Sequence, residues 1–310
     1  MRLLASDQPW PHNLRGGAIA LGNFDGFHRG HQAVVGRAVE RAHREGRPAI
    51  VATFDPHPKR YFQPDAAPFR LSTIEQRARL FAAAGADATL VLRFDAGFAA
   101  LTPEQFVADE LGARYGARAV VTGEDFTFGR ARAGTVERLT TLGAAHGIDV
   151  ETVPPLCDEE GAISSTRIRA LLAAGDCEGA ARLLTRPFAI EGVVVHGAKL
   201  GRSIGYPTAN IEMRDYLRPR YGIYAVRARL EDGRIVDGAA NLGIRPTFEP
   251  PVELLEPHLF EFAGDLYDSV MEVDLISFLR PEAKLDGLAA LIAQVDADCV
   301  EARLRLRPAP

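Results

Sequence analysis

Two histidines with a glycine between them, His28, Gly30 and His31, stand in the run Gly22-Asn23-Phe24-Asp25-Gly26-Phe27-His28-Arg29-Gly30-His31. The run follows an apolar stretch, Ala18 to Leu21, that reads as the first strand of a nucleotide-binding sheet. A helix opening here puts both imidazoles on one face of its first turn, where free backbone N–H groups and the helix dipole already favour anionic oxygens. That chemistry is phosphate handling. Each imidazole can donate an N–H to a triphosphate oxygen, and Gly30 lets a nucleotide approach the helix backbone closely. The competing readings are a surface pair and two of three metal ligands. Asp25 fits the spacing of a third ligand, but no HExxH word or cysteine cluster accompanies it.

Further along, Ile163-Ser164-Ser165-Thr166-Arg167-Ile168-Arg169 opens another helix. Ser164, Ser165 and Thr166 there bring hydroxyls and amides to an anion, and Arg167 brings a fixed positive fork suited to pyrophosphate. A third constellation is the glycine-rich run from Gly192 to Arg202. Gly197 to Ser203 is one residue short of a Walker A loop and has Arg202 where that loop requires Lys. Gly197, Gly201 and Gly205 would let backbone amides approach phosphates, with turn geometry as the alternative, and Gly192 is read as a turn glycine. Thr208 and Asn210 follow, two apart in an extended segment, so their oxygens project to one side. Both are hard ligands of the kind Mg2+ accepts beside phosphate oxygens and water.

The elements that must position these groups divide into two styles. At 310 residues the chain exceeds one typical domain. With 47% hydrophobic and 25% charged residues, each half has enough apolar material for a core. In the first half, short apolar runs alternate with helical patterns: Ala18 to Leu21, Ala49 to Phe54, Thr89 to Phe94, Ala119 to Thr122 and Val150 to Val153. Buried parallel strands have this appearance, and Ser72-Thr73-Ile74-Glu75 and Thr102-Pro103-Glu104-Gln105 match capping boxes of intervening helices. The expectation is an α/β domain with a parallel, doubly wound sheet. Helices are expected from Ser165 and over Asp176 to Leu184. From Phe188 onward, β-like runs at Ala189 to Val195, Tyr224 to Leu230, His258 to Phe262 and Met271 to Phe278 are separated by Gly, Pro and Asp turns. They predict a small antiparallel β-barrel, closed by a terminal helix over Leu285 to Leu304. The boundary falls at Thr185 to Pro187, giving domains 1–185 and 186–310.

Composition narrows the partners. A formal net charge of −5 argues against a nucleic-acid-binding surface. Lysine occurs only at Lys59, Lys199 and Lys284, so the cationic residues are nearly all arginine. Cys157, Cys177 and Cys299 are odd in number and lack metal spacing, which fits a reduced, cytoplasmic protein. No apolar run approaches a membrane span and no signal pattern opens the chain, so neither membrane nor nucleic acid is expected as a partner.

The 22–31 run together with Ile163-Ser164-Ser165-Thr166-Arg167 resembles the HxGH and ISSTxxR signatures of Rossmann-like nucleotidyltransferases. Thr53-Phe54-Asp55-Pro56-His57-Pro58 and Gly123-Glu124-Asp125-Phe126-Thr127-Phe128-Gly129 are similar to the FMN adenylyltransferase module of bacterial bifunctional riboflavin kinase/FAD synthetases. The Gly192–Arg202 run with Gly205-Tyr206-Pro207-Thr208-Ala209-Asn210 resembles the riboflavin kinase signature with its PTAN core. The likeness spans roughly residues 15 to 306.

The resemblance implies a two-site enzyme of FAD biosynthesis that uses ATP and Mg2+, with riboflavin, FMN and FAD as substrates and products. It implies catalytic roles for His28, His31 and Arg167 in adenylyl transfer and for Glu256 as the kinase base. Nucleotide or flavin contacts are implied at Gly22, Asn23, Phe24, Gly30, Ser164, Ser165, Thr166, Gly197, Gly201, Arg202, Thr208 and Asn210, the last two as metal ligands. Asp125 and Phe128 line the flavin side by resemblance, or are loop and core residues. Asp55 and His57 are given no role. Glu256 takes the catalytic position in Leu255-Glu256-Pro257-His258, but Pro257 departs from the family and Glu253 is the alternative. The Glu249-Pro250-Pro251 stretch, also unusual, is read as a mobile loop. Gln294, Asp298 and Arg303 match a QxxxDxxxxR pattern in the last helix. Arg303 contacts nucleotide or flavin, or forms a surface ion pair, and Asn241 and Arg245 carry the same two readings. Association into a homo-oligomer is left open. Two other functions compete: a nucleotidyltransferase for another small phosphate with the barrel as a docking module, and a flavin carrier without turnover.

Overall fold

The computed structural model describes residues 2–197, 201, 205–245, 252–284 and 286–307. Arg202, most of the 197–203 loop, the side chain of Arg245 and the 246–251 stretch lie outside the described residues. By contacts the chain divides into two compact units, 1–66 with 73–164, and 67–72 with 165–310.

The first unit is built on six parallel strands, β1 (Arg2–Ala5), β2 (Ala18–Leu21), β3 (Ala49–Asp55), β4 (Ala88–Arg93), β5 (Ala119–Gly123) and β6 (Asp149–Val153), in the order β1-β4-β3-β2-β5-β6. A two-stranded ribbon of β7 (Cys157–Asp158) and β8 (Gly161–Ala162) follows the sheet in the chain. Five of the six parallel strands are the apolar runs of the sequence. The Ala18–Leu21 strand is second in the chain, because Arg2–Ala5 adds an edge strand parallel to β4. That strand is short and half exposed, so it carries no alternation to betray it.

The residues of β2 are all buried, on alternating faces. Ala18 and Ala20 join the cluster of Val35, Ala38 and Ala42 from α1 (Arg29–Arg44), while Ile19 and Leu21 join Leu111 and Leu139 on the other face. The sheet is therefore covered on both sides, as parallel sheets are. From β2 the chain winds to β3 and β4 in one direction and later to β5 and β6 in the other, so the carboxyl end of β2 lies at the switch of winding where α/β sheets bind ligands. The Ile74–Ala83 helix is capped one residue later than Ser72 would place it: Thr73 Oγ1 accepts the Gln76 N–H, and Gln76 Oε1 accepts the Thr73 N–H. This register buries Ile74, Gln76 and Arg77.

The second unit holds a closed antiparallel barrel of β9 (Phe188–Val195), β10 (Asn210–Glu212), β11 (Gly222–Arg229), β12 (Ile235–Arg245), β13 (Val252–Leu259) and β14 (Val270–Arg280), ordered β10-β13-β12-β11-β14-β9. Helices Ser165–Ala174 and Cys177–Leu184 belong to this unit, the second capped by the Asp176 carboxylate on the Gly179 N–H. The expected strand over His258 to Phe262 runs instead over Val252–Leu259. Pro257 is its apparent breaker, and the ladder tolerates it. Its carbonyl faces Ala209, whose N–H it accepts at 3.0 Å, so the missing donor falls on the same side, near the end of the short β10. Strand β12 escaped the reading because Asp237, Gly238, Asn241 and Gly243 interrupt its apolar pattern. Gly192 is no turn glycine: it lies inside β9, where a Cβ would stand 2.7 Å from the Ile211 side chain of β10.

The last helix, Leu288–Leu306, is fixed to the barrel by a buried carboxylate. Asp298 accepts two hydrogen bonds from the Arg280 guanidinium, at 2.7 and 2.6 Å, and one from Gln294 at 3.0 Å. The Gln and Asp of the QxxxDxxxxR pattern thus anchor the helix to β14.

Candidate active sites

At the carboxyl end of β2 the backbone turns sharply: Phe24, Gly26 and Phe27 have φ of 50°, 81° and 44°. Left-handed phenylalanines are uncommon, and buried ring packing holds them here. Phe24 and Phe27 both stack edge-on against Phe81, and Phe24 meets the His31 ring the same way. Gly22 is fitted to this turn, since a Cβ would sit 3.0 Å from the Phe24 ring. Under the loop, the Asn23 carbonyl accepts from Thr53 Oγ1 at 2.8 Å and from Arg77 at 2.7 Å. Arg77 is almost completely buried and also donates to Thr53 Oγ1. Thr53 stands in the TFDPHP word, whereas nothing local in the sequence marks Arg77.

His28 lies outside the helix it was expected to share with His31. It is the N-cap residue of α1, with φ −73° and ψ 172°, and its Nδ1 accepts the His31 N–H at 3.4 Å. The cap brings the imidazoles together another way: their rings stack with centroids 3.6 Å apart and an interplanar angle of 22°. With Nδ1 used as acceptor, the proton of a neutral His28 ring belongs on Nε2. Gly30 makes room for this pair before it makes room for any ligand. A Cβ there would stand 3.2 Å from His28 Cε1 and 3.5 Å from the Ile163 carbonyl oxygen. That contact sets Ile163, the first residue of the second signature, against the histidine pair. Ser164 precedes the helix, and Ser165, Thr166 and Arg167 form its first turn, with Ser165 and Arg167 half-buried and Thr166 exposed.

The two flavin-side candidates separate. Asp125 is exposed, whereas Phe128 is buried in the core against Phe106, with ring centroids 5.3 Å apart. An aromatic group missed in the sequence lies at the carboxyl ends of β3 and β4. Phe94 packs against Phe54, Tyr61 and Phe62, and Phe62 remains 64% exposed, a large apolar face open to a planar ligand. His57 caps the Pro58–Phe62 helix through Nδ1.

In the barrel the decisive feature is sheet register. Ile211 of β10, Leu255 of β13 and Leu242 of β12 are mutual neighbours, all fully buried. The next row lies on the opposite face. Asn241 pairs with Glu256, and continuing the β10–β13 register by one residue places Asn210 on Glu256's other side, in keeping with the Ala209 to Pro257 hydrogen bond. Glu256 therefore stands between two asparagines, and Asn241 Nδ2 donates to its Oε2 at 3.5 Å.

Glu253, three residues back, faces the other way and is already engaged. Arg218 Nε donates to it at 2.7 Å and the Tyr221 hydroxyl donates as well, and the Arg218 hydrogen bond holds the carboxyl below the usual glutamate range.

The glycines of the 197–205 run are fitted to the PTAN segment. A Cβ on Gly197 would strike the Asn210 amide at 2.6 Å, and one on Gly201 would strike the Tyr206 carbonyl at 2.2 Å and approach Thr208 Oγ1 at 3.6 Å. Thr208 lines a small open cleft with Pro207, Pro257, Phe262, Asp265 and Tyr267. The segment is tied at its amino-terminal end, by the Tyr206 hydroxyl donating to Asp296 and by the His258 ring against the Pro207 carbonyl at 2.9 Å. Arg303 forms an ion pair with Glu261 at 3.1 Å and lies over the Phe260 ring at 4.1 Å.

Family models agree with this division of chemistry. Residues 11–167 match the FAD synthetase model, and residues 184–306 match the riboflavin kinase model. Bifunctional riboflavin kinase/FMN adenylyltransferases from Escherichia coli K12 and Pseudomonas fluorescens are 38% and 40% identical to the chain, covering 94% and 96% of it and 95% and 96% of their own lengths. The chain belongs to the bifunctional riboflavin kinase/FMN adenylyltransferase family. The Bacillus subtilis member of this family is 36% identical over 92% of the chain and 90% of its own length. A crystal structure of a Streptococcus pneumoniae protein described as a macrolide-efflux protein is 30% identical, with a TM-score of 0.86 over 99% of this chain and 100% of that one. Among the described residues no helix is long and apolar enough to cross a membrane. Family membership sets aside the docking-module and carrier readings.

Proposed function

We propose that the residues gathered above carry the two reactions of the family, adenylyl transfer in residues 1–185 and riboflavin phosphorylation in 186–310. The chain is an enzyme of FAD biosynthesis that takes ATP and flavins as substrates. The family matches, the first ending at 167 and the second beginning at 184, support two catalytic parts in this order.

In the first reaction an FMN phosphate oxygen attacks the α-phosphorus of ATP, the α–β bridging bond breaks and pyrophosphate leaves. His28 and His31 donate N–H groups to the triphosphate, and the hydroxyls of Ser164, Ser165 and Thr166 orient it. Arg167 holds the departing pyrophosphate. Gly22, Asn23 and Phe24 form the strained turn that presents His28, and Gly30 lets the ring pair close. Asp125 and the exposed Phe62 group receive the flavin, with Phe128 supporting them from the core.

In the second reaction the terminal ribityl hydroxyl attacks the γ-phosphorus, Glu256 takes the hydroxyl proton and ADP leaves. The observation that carries this reading is the register that sets Glu256 beside Asn210. Thr208 and Asn210 would hold Mg2+, with Gly197, Gly201 and Arg202 at the phosphates. Their oxygens fit the ion's preference for hard ligands, and the glycines packed against them keep side chains out of the space where phosphate oxygens would join them. When bound, Mg2+ neutralises charge on the transferring phosphoryl group. Arg303 acts on the cleft through Phe260 and Glu261. This reading places the enzyme in the cytoplasm, without nucleic-acid or membrane partners.

One incubation tests it: the chain with riboflavin, ATP and Mg2+, the flavins resolved by chromatography. FMN and then FAD are expected. FMN alone would overturn the adenylyl-transfer assignment, and no FMN would overturn the kinase assignment.

A further inference from the structure

The Asn241 side chain uses one end and leaves the other unused. Its Nδ2 faces Glu256 at 3.5 Å, while its Oδ1 is buried and has no hydrogen-bond partner among the described residues. A buried amide oxygen without a donor is uncommon and calls for an explanation. The ionised Glu256 carboxylate cannot supply one, because it is an acceptor only. What reaches this face of the barrel in the kinase reaction is a polyol chain, whose reacting hydroxyl must lie against Glu256 and whose next hydroxyl lies one carbon away.

We propose that Asn241 is a positioning and specificity-determining residue for the kinase reaction: Nδ2–H orients Glu256, and Oδ1 accepts a hydrogen bond from the ribityl hydroxyl adjacent to the one phosphorylated. The proposal rests on the reading of Glu256 as the base. It gives the site two acceptors in one row, the Glu256 carboxylate for the terminal hydroxyl and the Asn241 carbonyl for its neighbour. An alcohol without that vicinal hydroxyl leaves Oδ1 buried and unpaired, so the site discriminates against it.

The test measures ADP release by the full chain with riboflavin and with an analogue lacking the secondary hydroxyl nearest the terminal one. The wild-type chain is expected to lose roughly 10- to 100-fold in kcat/KM on the analogue. Asn241→Ala is expected to lose a similar factor on riboflavin and to lose little more on the analogue. Asn241→Ser, checked for folding by circular dichroism, carries the same comparison if the alanine variant does not fold. Losses that multiply, with the variant penalised by the analogue as much as the wild type, would overturn the proposal. Glu256→Gln at the wild-type rate would instead overturn the base assignment, and that result is distinct because it leaves the substrate comparison at Asn241 readable.

Discussion

His28 caps the helix that contains His31, and the cap is what stacks the two rings. The His28 Nδ1 takes the His31 N–H at 3.4 Å and the ring centroids lie 3.6 Å apart. The pair is thus one structural unit, and its members should fail differently. His31→Ala is expected to lower FAD formation from supplied FMN by about 10²-fold or more, with riboflavin phosphorylation unchanged. His28→Ala adds the loss of the cap, about 1 kcal/mol of helix stability. His28→Asn keeps a capping acceptor, so a variant with restored melting temperature and still-depressed FAD output would separate the two roles. FAD output at the wild-type level in His31→Ala would remove that residue from the mechanism.

The two candidate bases of the barrel predict opposite behaviour. Glu256→Gln should lower riboflavin phosphorylation by about 10²- to 10⁴-fold while supplied FMN is still converted to FAD. Glu253→Gln should retain the rate and lose stability, because Arg218 and Tyr221 lose a charged partner. Glu253 has a depressed pKa, so its contribution is present at neutral pH and lost as pH falls through that depressed value. Acid melting curves of the variant should therefore converge on those of the wild type, and a parallel offset at every pH would contradict the ion-pair account.

Arg303 reaches the kinase cleft at second hand. Its guanidinium covers Phe260 and pairs with Glu261, where the backbone has φ of 54° and turns into the loop bearing Phe262, Asp265 and Tyr267. Arg303→Ala should raise the kinase KM about tenfold with little change in kcat, the signature of lost binding rather than lost chemistry. Arg303→Lys keeps the charge without the planar stack, and recovery of KM by lysine would show that the ion pair suffices.

Asp274 on β14 is held well above the ordinary aspartate range, at about 6, by burial and then by the neighbouring Glu272 charge, against the pull of Arg229, Arg227 and Arg186. The folded chain therefore keeps a proton that the unfolded chain releases, and stability falls as pH rises from the ordinary aspartate value through about 6. Asp274→Asn should melt about 3 °C higher than the wild type at pH 7, with the difference shrinking toward pH 4. A lower melting temperature at pH 7 would mean that the three arginines outweigh the burial cost.

The sequence by itself determined the strand–helix alternation, the barrel, the family and the words that hold the chemistry. Apolar runs, caps and short motifs act within a few residues of themselves, so His28, Gly30, Ser164, Thr208 and Asn210 could be picked out one at a time. Tertiary structure decided how they meet. Gly30 lies against the carbonyl of Ile163, far along the chain, and the buried Arg77 of the Ile74–Ala83 helix supports the Asn23 loop. Most of all, strand register decided the surroundings of the two candidate carboxylates. A shift of one residue turns every side chain to the other face, and the pairing sets Glu256 beside Asn241 while Glu253 meets Arg218 and Tyr221.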